Sequence, residues 1–274
     1  TFIKENAGKK HLKILVGRDA RVSGRMVSAM VCSTLMSCSA DVVDLGLATT
    51  PTVEMAVKNL GADGGIIITA SHNPAQWNAL KLLNADGEFL SAADGNRILE
   101  IAEKNDFDYA DYLNLGAYQE NDDQLNSHIN KILALPLIDV SAIRNASFRV
   151  AYDAVNSVGG IALPALLKAL GVKFVFPLNA TPDGLFAHNP EPLPGHLGEI
   201  SRLVIEKKAD VGFVVDPDVD RLAIIMENGG FFGEEYTLVA ISDYILKFTP
   251  GNTVSNLSST RALRDITIKY GAKH

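Results

Sequence analysis

Short apolar strands alternate with amphipathic helices along most of the chain, and this alternation limits the folds open to it. The predicted strands fall at 12–19, 41–46, 64–70, 148–154, 173–178 and 210–216. The predicted helices between them fall at 22–40, 51–61, 159–171 and 196–209. Strands that are apolar throughout and alternate with helices form parallel sheets covered on both faces. We therefore expect an α/β protein of repeated domains, each a mixed, mostly parallel sheet sandwiched between helices.

The alternation stops and restarts near residue 145, which suggests a domain boundary there. We expect a first domain over residues 1–145, a second over 146–233 and the start of a third over 234–274. Residues 105–126 are acidic, rich in Asn and weakly periodic, so they predict a linking segment. A helix is expected directly after it, at 125–135.

The last part of the chain repeats the pattern once more. A helix is predicted at 234–248, a strand at 253–258 and a further helix at 260–270. These elements would begin a third sheet-and-helix unit.

Charge and cysteine content exclude several classes of protein. Lys and Arg total 25 against 32 Asp and Glu, a formal net charge of −7, and no basic run is present. This balance argues against a nucleic-acid partner. The N-terminus is polar and no apolar run is long enough to span a bilayer, which argues against a membrane protein. Two cysteines, Cys32 and Cys38, are expected to be free thiols, as is usual in the cytoplasm.

A polar turn, "TASHNP", follows the predicted strand at 64–70. Ligands bind at the carboxyl edge of parallel strands, so Ser71 is placed where an exposed nucleophile could carry a phosphoryl group. Two alternatives are a simple helix-capping turn and a Ser–His hydrolase. A cap needs only one such residue, whereas the turn supplies Thr69, Ser71, His72 and Asn73. The hydrolase is disfavoured because Ser71 and His72 are adjacent, so we expect their side chains to diverge. In addition, no Gly-x-Ser-x-Gly elbow occurs in the chain.

A second turn, "DPDVDR", follows the predicted strand at 210–216. Its carboxylates, Asp216, Asp218 and Asp220, would repel one another unless a cation lay between them. Oxygen ligands favour Mg²⁺ or Ca²⁺ over zinc. Because the protein supplies few ligands, room is left for phosphate oxygens on the metal, which favours Mg²⁺. An EF-hand is excluded, because its sixth place requires glycine and is Arg221 here. Arg221 would either neutralise the aspartates or bind an anionic ligand.

These two turns resemble the phosphoserine loop and the metal loop of the α-D-phosphohexomutase superfamily. That superfamily contains phosphoglucomutases, phosphomannomutases and phosphoglucosamine mutases. The segments "GRDARVSG" at 17–24 and "DGLFAHNPEPLPGHLGEI" at 183–200 also resemble family segments. All four occur in the family's order and together extend over most of the chain.

The resemblance implies an enzyme that moves phosphate between the 1- and 6-positions of a hexose. Ser71 would carry the phosphoryl group, and Mg²⁺ would bind that phosphate together with Asp216, Asp218 and Asp220. A hexose phosphate would be the substrate, and a hexose 1,6-bisphosphate would be the intermediate and activator.

Roles for the remaining residues also follow from the resemblance. Lys81 would be a general acid or base near the serine; the alternative is a surface lysine of the strand "LKLLN". Thr69, His72 and Asn73 would shape the phosphate loop. Arg221 would contact the sugar or its phosphate.

The chain also departs from the family pattern. Pro217 stands where the family usually has glycine, and Asn78-Ala79 stands where it has Asn-Gly. The family's N-terminal segment, most of its third domain and its fourth domain are not found, so we expect a fragment of the enzyme. A Mg²⁺-dependent sugar phosphatase and a non-catalytic sugar-phosphate or metal-binding module stay open as alternatives. Neither the sugar nor the oligomeric state can be predicted from the sequence.

Overall fold

Two β-sheets, each covered by helices, form the frame of the protein. The structure is a computed structural model that describes residues 1–105, 107–257 and 259–274. The strands are β1 Leu12–Arg18, β2 Ala40–Leu47, β3 Gly64–Ile68, β4 Leu80–Leu83, β5 Tyr118–Glu120, β6 Arg149–Asp153, β7 Phe174–Leu178, β8 Val211–Val215 and β9 Leu222–Met226. The helices are α1 Phe2–Ala7, α2 Gly24–Ser37, α3 Thr50–Asn59, α4 Ala92–Lys104, α5 Gln124–Leu133, α6 Val140–Ala146, α7 Gly159–Ala169, α8 Gly198–Lys207, α9 Glu234–Phe248 and α10 Ala262–Lys269, with a 3₁₀ turn at Pro194–His196.

The first sheet has the strand order β4-β3-β1-β2-β5. β1 pairs in parallel with both β2 and β3, while β4 runs antiparallel along β3. Its central strands are buried on both faces: Leu15 and Ile67 pack into one apolar cluster, and Val16 and Ile68 pack into another. Burial on both faces explains why these strands are apolar throughout rather than alternating.

The second sheet has the order β7-β6-β8-β9. β6 pairs in parallel with β7 and β8, and β9 closes a hairpin with β8 in the antiparallel direction. Ala151, Val214 and Ile225 form a fully buried core with Ile200 of α8. The predicted fold class, repeated units with a mixed and mostly parallel sheet between helices, is therefore confirmed.

Helix starts follow from local sequence. α3 begins with Pro51 in its first turn, and the side chain of Thr49 accepts a hydrogen bond from the backbone N–H of Thr52. α4 begins with a reciprocal capping box between Ser91 and Asp94. No helix within the described ranges is long and apolar enough to cross a membrane.

Two sequence expectations differ from the structure. The strand expected at 253–258 is wrong for residues 253–257, which form no strand, and Ser258 lies outside the described residues. Thr253 donates one backbone hydrogen bond to Lys273, but a strand requires a ladder of such bonds. The expected linking segment at 105–126, of which Asp106 is not described, contains β5, which pairs with β2.

Candidate active site

The serine turn leaves β3 at the carboxyl edge of the first sheet. Ser71 has a left-handed backbone with φ 48°, which is uncommon for a residue other than glycine. Its hydroxyl donates a hydrogen bond of 2.8 Å to Oδ2 of Asp216. Its backbone N–H donates to Oγ1 of Thr69 at 2.9 Å. The turn therefore directs the hydroxyl out of the first sheet and toward the second.

The other residues of the serine turn are placed around this hydroxyl. Thr69 is fully buried and donates a hydrogen bond from its hydroxyl to Asp19, so it holds the turn on its buried side. The Asn73 side chain donates to the carbonyl of Ala70 at 2.8 Å and fixes the bend. Nδ1 of His72 lies 3.4 Å from the Ser71 oxygen, so the expectation that these adjacent side chains diverge is wrong, although Asp216 is nearer at 2.8 Å. The shorter bond to Asp216 argues against a Ser–His hydrolase pair.

The aspartate turn joins β8 to β9, so both flanks are strands and the EF-hand is excluded by the structure as well. Asp216 and Asp218 are fully buried, whereas Asp220 is exposed. One carboxylate oxygen from each of the three lies within 4.8 Å of the others. Oδ1 of Asp216 accepts backbone N–H groups from Asp220 and Arg221, both at 3.1 Å.

The donor set of this turn fits a hard divalent cation. Oδ1 of Asp218 is buried and accepts no hydrogen bond within the described part of the chain, an unusual state for a carboxylate oxygen. Burial, followed by repulsion from Asp218 and Asp220, raises the pKa of Asp216 to about 8. A cation bound by the three carboxylates would give the buried Asp218 oxygen a partner and would offset the repulsion among the three charges. All-oxygen ligation suits Mg²⁺.

Lys81 supplies the positive charge closest to these carboxylates. Its Nζ lies 2.6 Å from Oδ2 of Asp218 and 2.6 Å from Oδ2 of Asp220. Burial disfavours the ammonium form, but the two carboxylates outweigh it, so the pKa of Lys81 is raised above its ordinary value. Lys81 is therefore protonated in this arrangement and forms ion pairs with the aspartate turn. A general base would instead need a lowered pKa.

Comparison with known proteins decides the family. The profile of phosphoglucomutase/phosphomannomutase alpha/beta/alpha domain I matches residues 1–109, and that of domain II matches residues 126–230. The chain belongs to the phosphoglucomutase/phosphomannomutase family. The resemblance inferred from the serine and aspartate turns is thereby confirmed.

Two relatives that match the chain carry the names of mutases. A phosphoglucomutase/phosphomannomutase of Thermococcus kodakarensis is 37% identical over 275 residues, which covers 100% of the chain and 59% of that relative. A phosphoglucosamine/phosphogalactosamine mutase of Sulfurisphaera tokodaii is 36% identical over 222 residues, covering 80% of the chain and 48% of that relative. The chain thus spans about half to three fifths of the length of these relatives.

A solved structure shows the same fold. The phosphoglucomutase/phosphomannomutase family protein of Burkholderia thailandensis superposes with a TM-score of 0.83 at 24% identity. The superposition covers 99% of this chain and 59% of that one.

Both departures from the phosphohexomutase pattern are accommodated. Pro217 lacks an N–H, but the backbone donors to Asp216 come from Asp220 and Arg221, so that carboxylate loses neither of its bonds. Ala79 is not among the described residues with positive φ, and its carbonyl accepts the Thr69 N–H at 3.0 Å. Ala79 therefore does not displace the strand that carries Lys81.

Several contacts that join the two sheets were not predicted from the sequence. The Thr50 hydroxyl donates to Oδ2 of Asp218 at 2.6 Å, and the Thr50 N–H donates to the carbonyl of the same aspartate at 2.9 Å. Ser157 donates to the carbonyl of Pro217 at 2.6 Å and accepts the N–H of Ala20 at 3.2 Å. These hydroxyls hold the aspartate turn against the first sheet.

Arg221 extends the site toward the segment at 183–200. Its Nη1 lies 3.5 Å from Oε1 of Glu191, and its side chain is half-buried. The expected contact with a sugar or phosphate stays a prediction. The residue between Asp218 and Asp220, Val219, has φ 63°, an outlier for a β-branched residue, so the aspartate turn holds backbone strain.

Proposed function

We propose that this protein moves a phosphoryl group between the 1- and 6-positions of a hexose phosphate, with Ser71 as the phosphoryl carrier. The observation that carries this proposal is the hydrogen bond of 2.8 Å from the Ser71 hydroxyl to Asp216, a member of the three-carboxylate cluster. This bond supports the proposal because it joins the serine turn of one sheet to the carboxylate cluster of the other. The membership of the phosphoglucomutase/phosphomannomutase family supports the same chemistry.

The proposed reaction has two transfers. The bond between phosphorus and Ser71 Oγ breaks while a bond forms from phosphorus to a sugar hydroxyl oxygen, giving a hexose bisphosphate. The sugar hydroxyl loses its proton and Ser71 Oγ regains one. The second transfer returns the other phosphate to Ser71, so that the net change is isomerisation.

The residues around Ser71 divide the work between them. Mg²⁺ held by Asp216, Asp218 and Asp220 would offset the negative charge of the transferring phosphoryl oxygens. Protonated Lys81 is our candidate for the acid that returns a proton when Ser71 leaves. Arg221 is our candidate contact for the sugar phosphate, and His72 and Asn73 line the turn.

The alternatives have weaker support. A phosphatase built on an aspartate nucleophile would leave the Ser71 hydroxyl, which is bonded to Asp216, without a role. A non-catalytic binding module would bind the metal without phosphoryl transfer to Ser71. The relatives carry names for glucose, mannose, glucosamine and galactosamine phosphates, so we assign a hexose phosphate without choosing the sugar.

The domain division is also a proposal. We place the first boundary near residue 145 and the second near residue 233. It is supported by the two sheets, whose strands run from Leu12 to Glu120 and from Arg149 to Met226.

Phosphorylation of Ser71 tests the proposed function directly. The protein is incubated with Mg²⁺ and glucose 1,6-bisphosphate, and peptides are mapped by mass spectrometry. We expect phosphate on Ser71, no phosphate in Ser71→Ala, and normal labelling in the control Ser33→Ala, which alters an exposed serine of α2. Removal of Mg²⁺ by EDTA should prevent labelling. Absence of phosphate on Ser71 with glucose, mannose and glucosamine 1,6-bisphosphates would reject the mutase, and metal binding alone would then favour the binding module.

A further inference from the structure

Arg21 is a fully buried arginine in the turn that follows β1. An arginine side chain has five N–H donors, and all five are used here. Nε donates to Asp19 at 2.9 Å, and the four remaining donors reach backbone carbonyls. These carbonyls belong to Ser71 at 2.5 Å, Asn73 at 2.9 Å, Pro74 at 2.8 Å and Trp77 at 2.8 Å.

Three of these carbonyls lie in the serine turn at 69–74, and that of Trp77 lies three residues beyond it. Each carbonyl oxygen carries partial negative charge, which would repel a phosphoryl group on the serine. The guanidinium gathers these oxygens around one buried cation, whose charge offsets theirs. Its planar fork also fixes their relative positions, which a lysine with three donors at one point could not do.

A second set of contacts links Arg21 to the backbone of Ser71. Oδ1 of Asp19 accepts the Arg21 N–H at 2.9 Å, and Oδ2 accepts the Thr69 hydroxyl at 2.8 Å. Thr69 in turn accepts the Ser71 N–H. The left-handed conformation of Ser71 is therefore held through its carbonyl by Arg21 and through its N–H by Thr69.

The second half of the chain covers this arginine. The ring centroid of Phe186 lies 5.1 Å from the guanidinium carbon, within range of a cation–π contact. Phe186 belongs to the segment at 183–200, which also contains Glu191, the partner of Arg221. The ring keeps water from the guanidinium, so its bonds to the serine turn are not exchanged for bonds to solvent.

We propose that Arg21 is the positioning residue of the serine turn: its guanidinium holds the four carbonyls beneath the turn and thereby directs the Ser71 hydroxyl toward Asp216. This inference rests on the proposed function, in which Ser71 carries the phosphoryl group. Arg21 touches neither the phosphate nor the metal ligands in this role.

The first test measures the conformation of the turn and does not depend on activity. Hydrogen–deuterium exchange is followed by mass spectrometry in Arg21→Lys and in Arg25→Lys, which alters an exposed arginine of α2. In Arg21→Lys we expect amide exchange in residues 69–78 to accelerate about tenfold or more, with exchange in 149–226 unchanged. Arg25→Lys should match the wild type. Equal exchange of 69–78 in all three proteins would overturn the proposal.

The second test measures transfer to Ser71. At saturating glucose 1,6-bisphosphate, Arg21→Lys should slow phosphorylation of Ser71 by about 10- to 100-fold, as expected for a misplaced reacting group. The half-saturating bisphosphate concentration and the affinity for Mn²⁺ should change by less than about twofold, because Arg21 contacts neither ligand. A parallel loss of Mn²⁺ affinity would indicate general structural damage and would contradict positioning.

The two proposals can fail separately. If wild-type Ser71 is never phosphorylated, the proposed function fails, while the exchange experiment still decides whether Arg21 holds the turn. If Arg21→Lys does not fold, Phe186→Leu removes the covering ring and admits water to the guanidinium, where it competes for the hydrogen bonds to the turn. It should accelerate exchange in 69–78 in the same direction, and unchanged exchange there would overturn the proposal.

Discussion

The hydroxyl of Ser71 and the carboxylate of Asp216 meet at 2.8 Å although they belong to different sheets. Ser71 follows β3 of the first sheet, and Asp216 follows β8 of the second. The candidate site therefore exists only while the two sheets are docked. These contacts between the sheets form a joint, to which Thr50 and Ser157 also contribute. Changes that alter this joint should affect phosphoryl transfer even where they leave both turns intact.

Asp218→Asn should weaken divalent-cation binding. Asp218 is fully buried, and one of its oxygens has no hydrogen-bond partner within the described residues, so this oxygen can ligate a bound cation. Loss of this ligand should reduce Mn²⁺ affinity by at least about tenfold, the lower end of the effect of losing an outer-shell partner. Titration followed by the electron paramagnetic resonance of Mn²⁺ measures it. Asp122→Asn, which changes an exposed aspartate, is the control. Equal Mn²⁺ affinities in the two variants would show that Asp218 is not a ligand of the metal.

Lys81→Met should strengthen cation binding while it slows phosphoryl transfer. The ammonium lies 2.6 Å from both Asp218 and Asp220 and neutralises part of the charge that attracts a metal. We expect Mn²⁺ to bind about fivefold more tightly, the equivalent of a partly exposed ion pair worth about 1 kcal/mol. Lys58→Met, at an exposed lysine of α3, should not change the affinity. Weaker Mn²⁺ binding in Lys81→Met would show instead that the ammonium orients the carboxylates for the metal.

The sheets and both turns could be predicted because each has a local signal. The segment at 64–70 is apolar throughout and the following turn is polar, and the same change occurs after 210–216. Since parallel strands bring their carboxyl ends to one edge, a polar turn after such a strand indicates a site. By contrast, β5 has three exposed residues and no periodicity, and only its pairing with β2 defines it.

The joint between the sheets could not be predicted, because its signals depend on tertiary contacts. Thr50 and Ser157 resemble ordinary turn residues until their hydroxyls are seen to bond the aspartate turn. A charged residue in a loop is normally exposed, so the burial of Arg21 had no signal beyond its place in "GRDARVSG". The raised pKa of Lys81 likewise depends on distances to Asp218 and Asp220 that only the fold sets.

Gly184→Ala should loosen the joint between the sheets. Gly184 has φ 75°, and a Cβ placed there would lie 2.0 Å from the carbonyl oxygen of Ala20. The backbone strain alone costs about 1–2 kcal/mol, and the contact with a backbone oxygen requires one of the two loops to shift at the place where they join the sheets. We expect a loss of at least about 2 kcal/mol in the free energy of unfolding, measured by denaturant titration. Phosphorylation of Ser71 should slow as well.

The matched control for this change is Gly195→Ala. A Cβ at Gly195 would meet no atom of the described residues within 4 Å, and Gly195 does not have a left-handed backbone. Its free energy of unfolding should change by less than about 0.5 kcal/mol. Equal losses in the two variants would show that the approach of Gly184 to Ala20 does not limit the joint.

His188→Gln should remove a pH-dependent contribution to stability. Nε2 of His188 lies 3.0 Å from Oδ2 of Asp153, and Nδ1 lies 2.7 Å from the carbonyl oxygen of Asn189. Both neighbours are acceptors, so both ring nitrogens donate and the ring is protonated. Burial disfavours this charge, but Asp153, the Asn189 carbonyl and Glu199 outweigh it and raise the pKa of His188 above its ordinary value.

A group whose pKa is raised by folding stabilises the protein fully below its unfolded pKa, and this stabilisation is lost as the pH rises through its folded pKa. The free energy of unfolding of the wild type should therefore exceed that of His188→Gln by about 1–2 kcal/mol near pH 5.5, and the difference should shrink toward pH 9. Denaturant titrations across this range measure it, with His274→Gln as the control, because His274 is exposed and its ring contacts the hydroxyls of Thr253 and Ser255 and not a carboxylate among the described residues. A difference that stays constant with pH would show that His188 is held neutral and contributes only through packing.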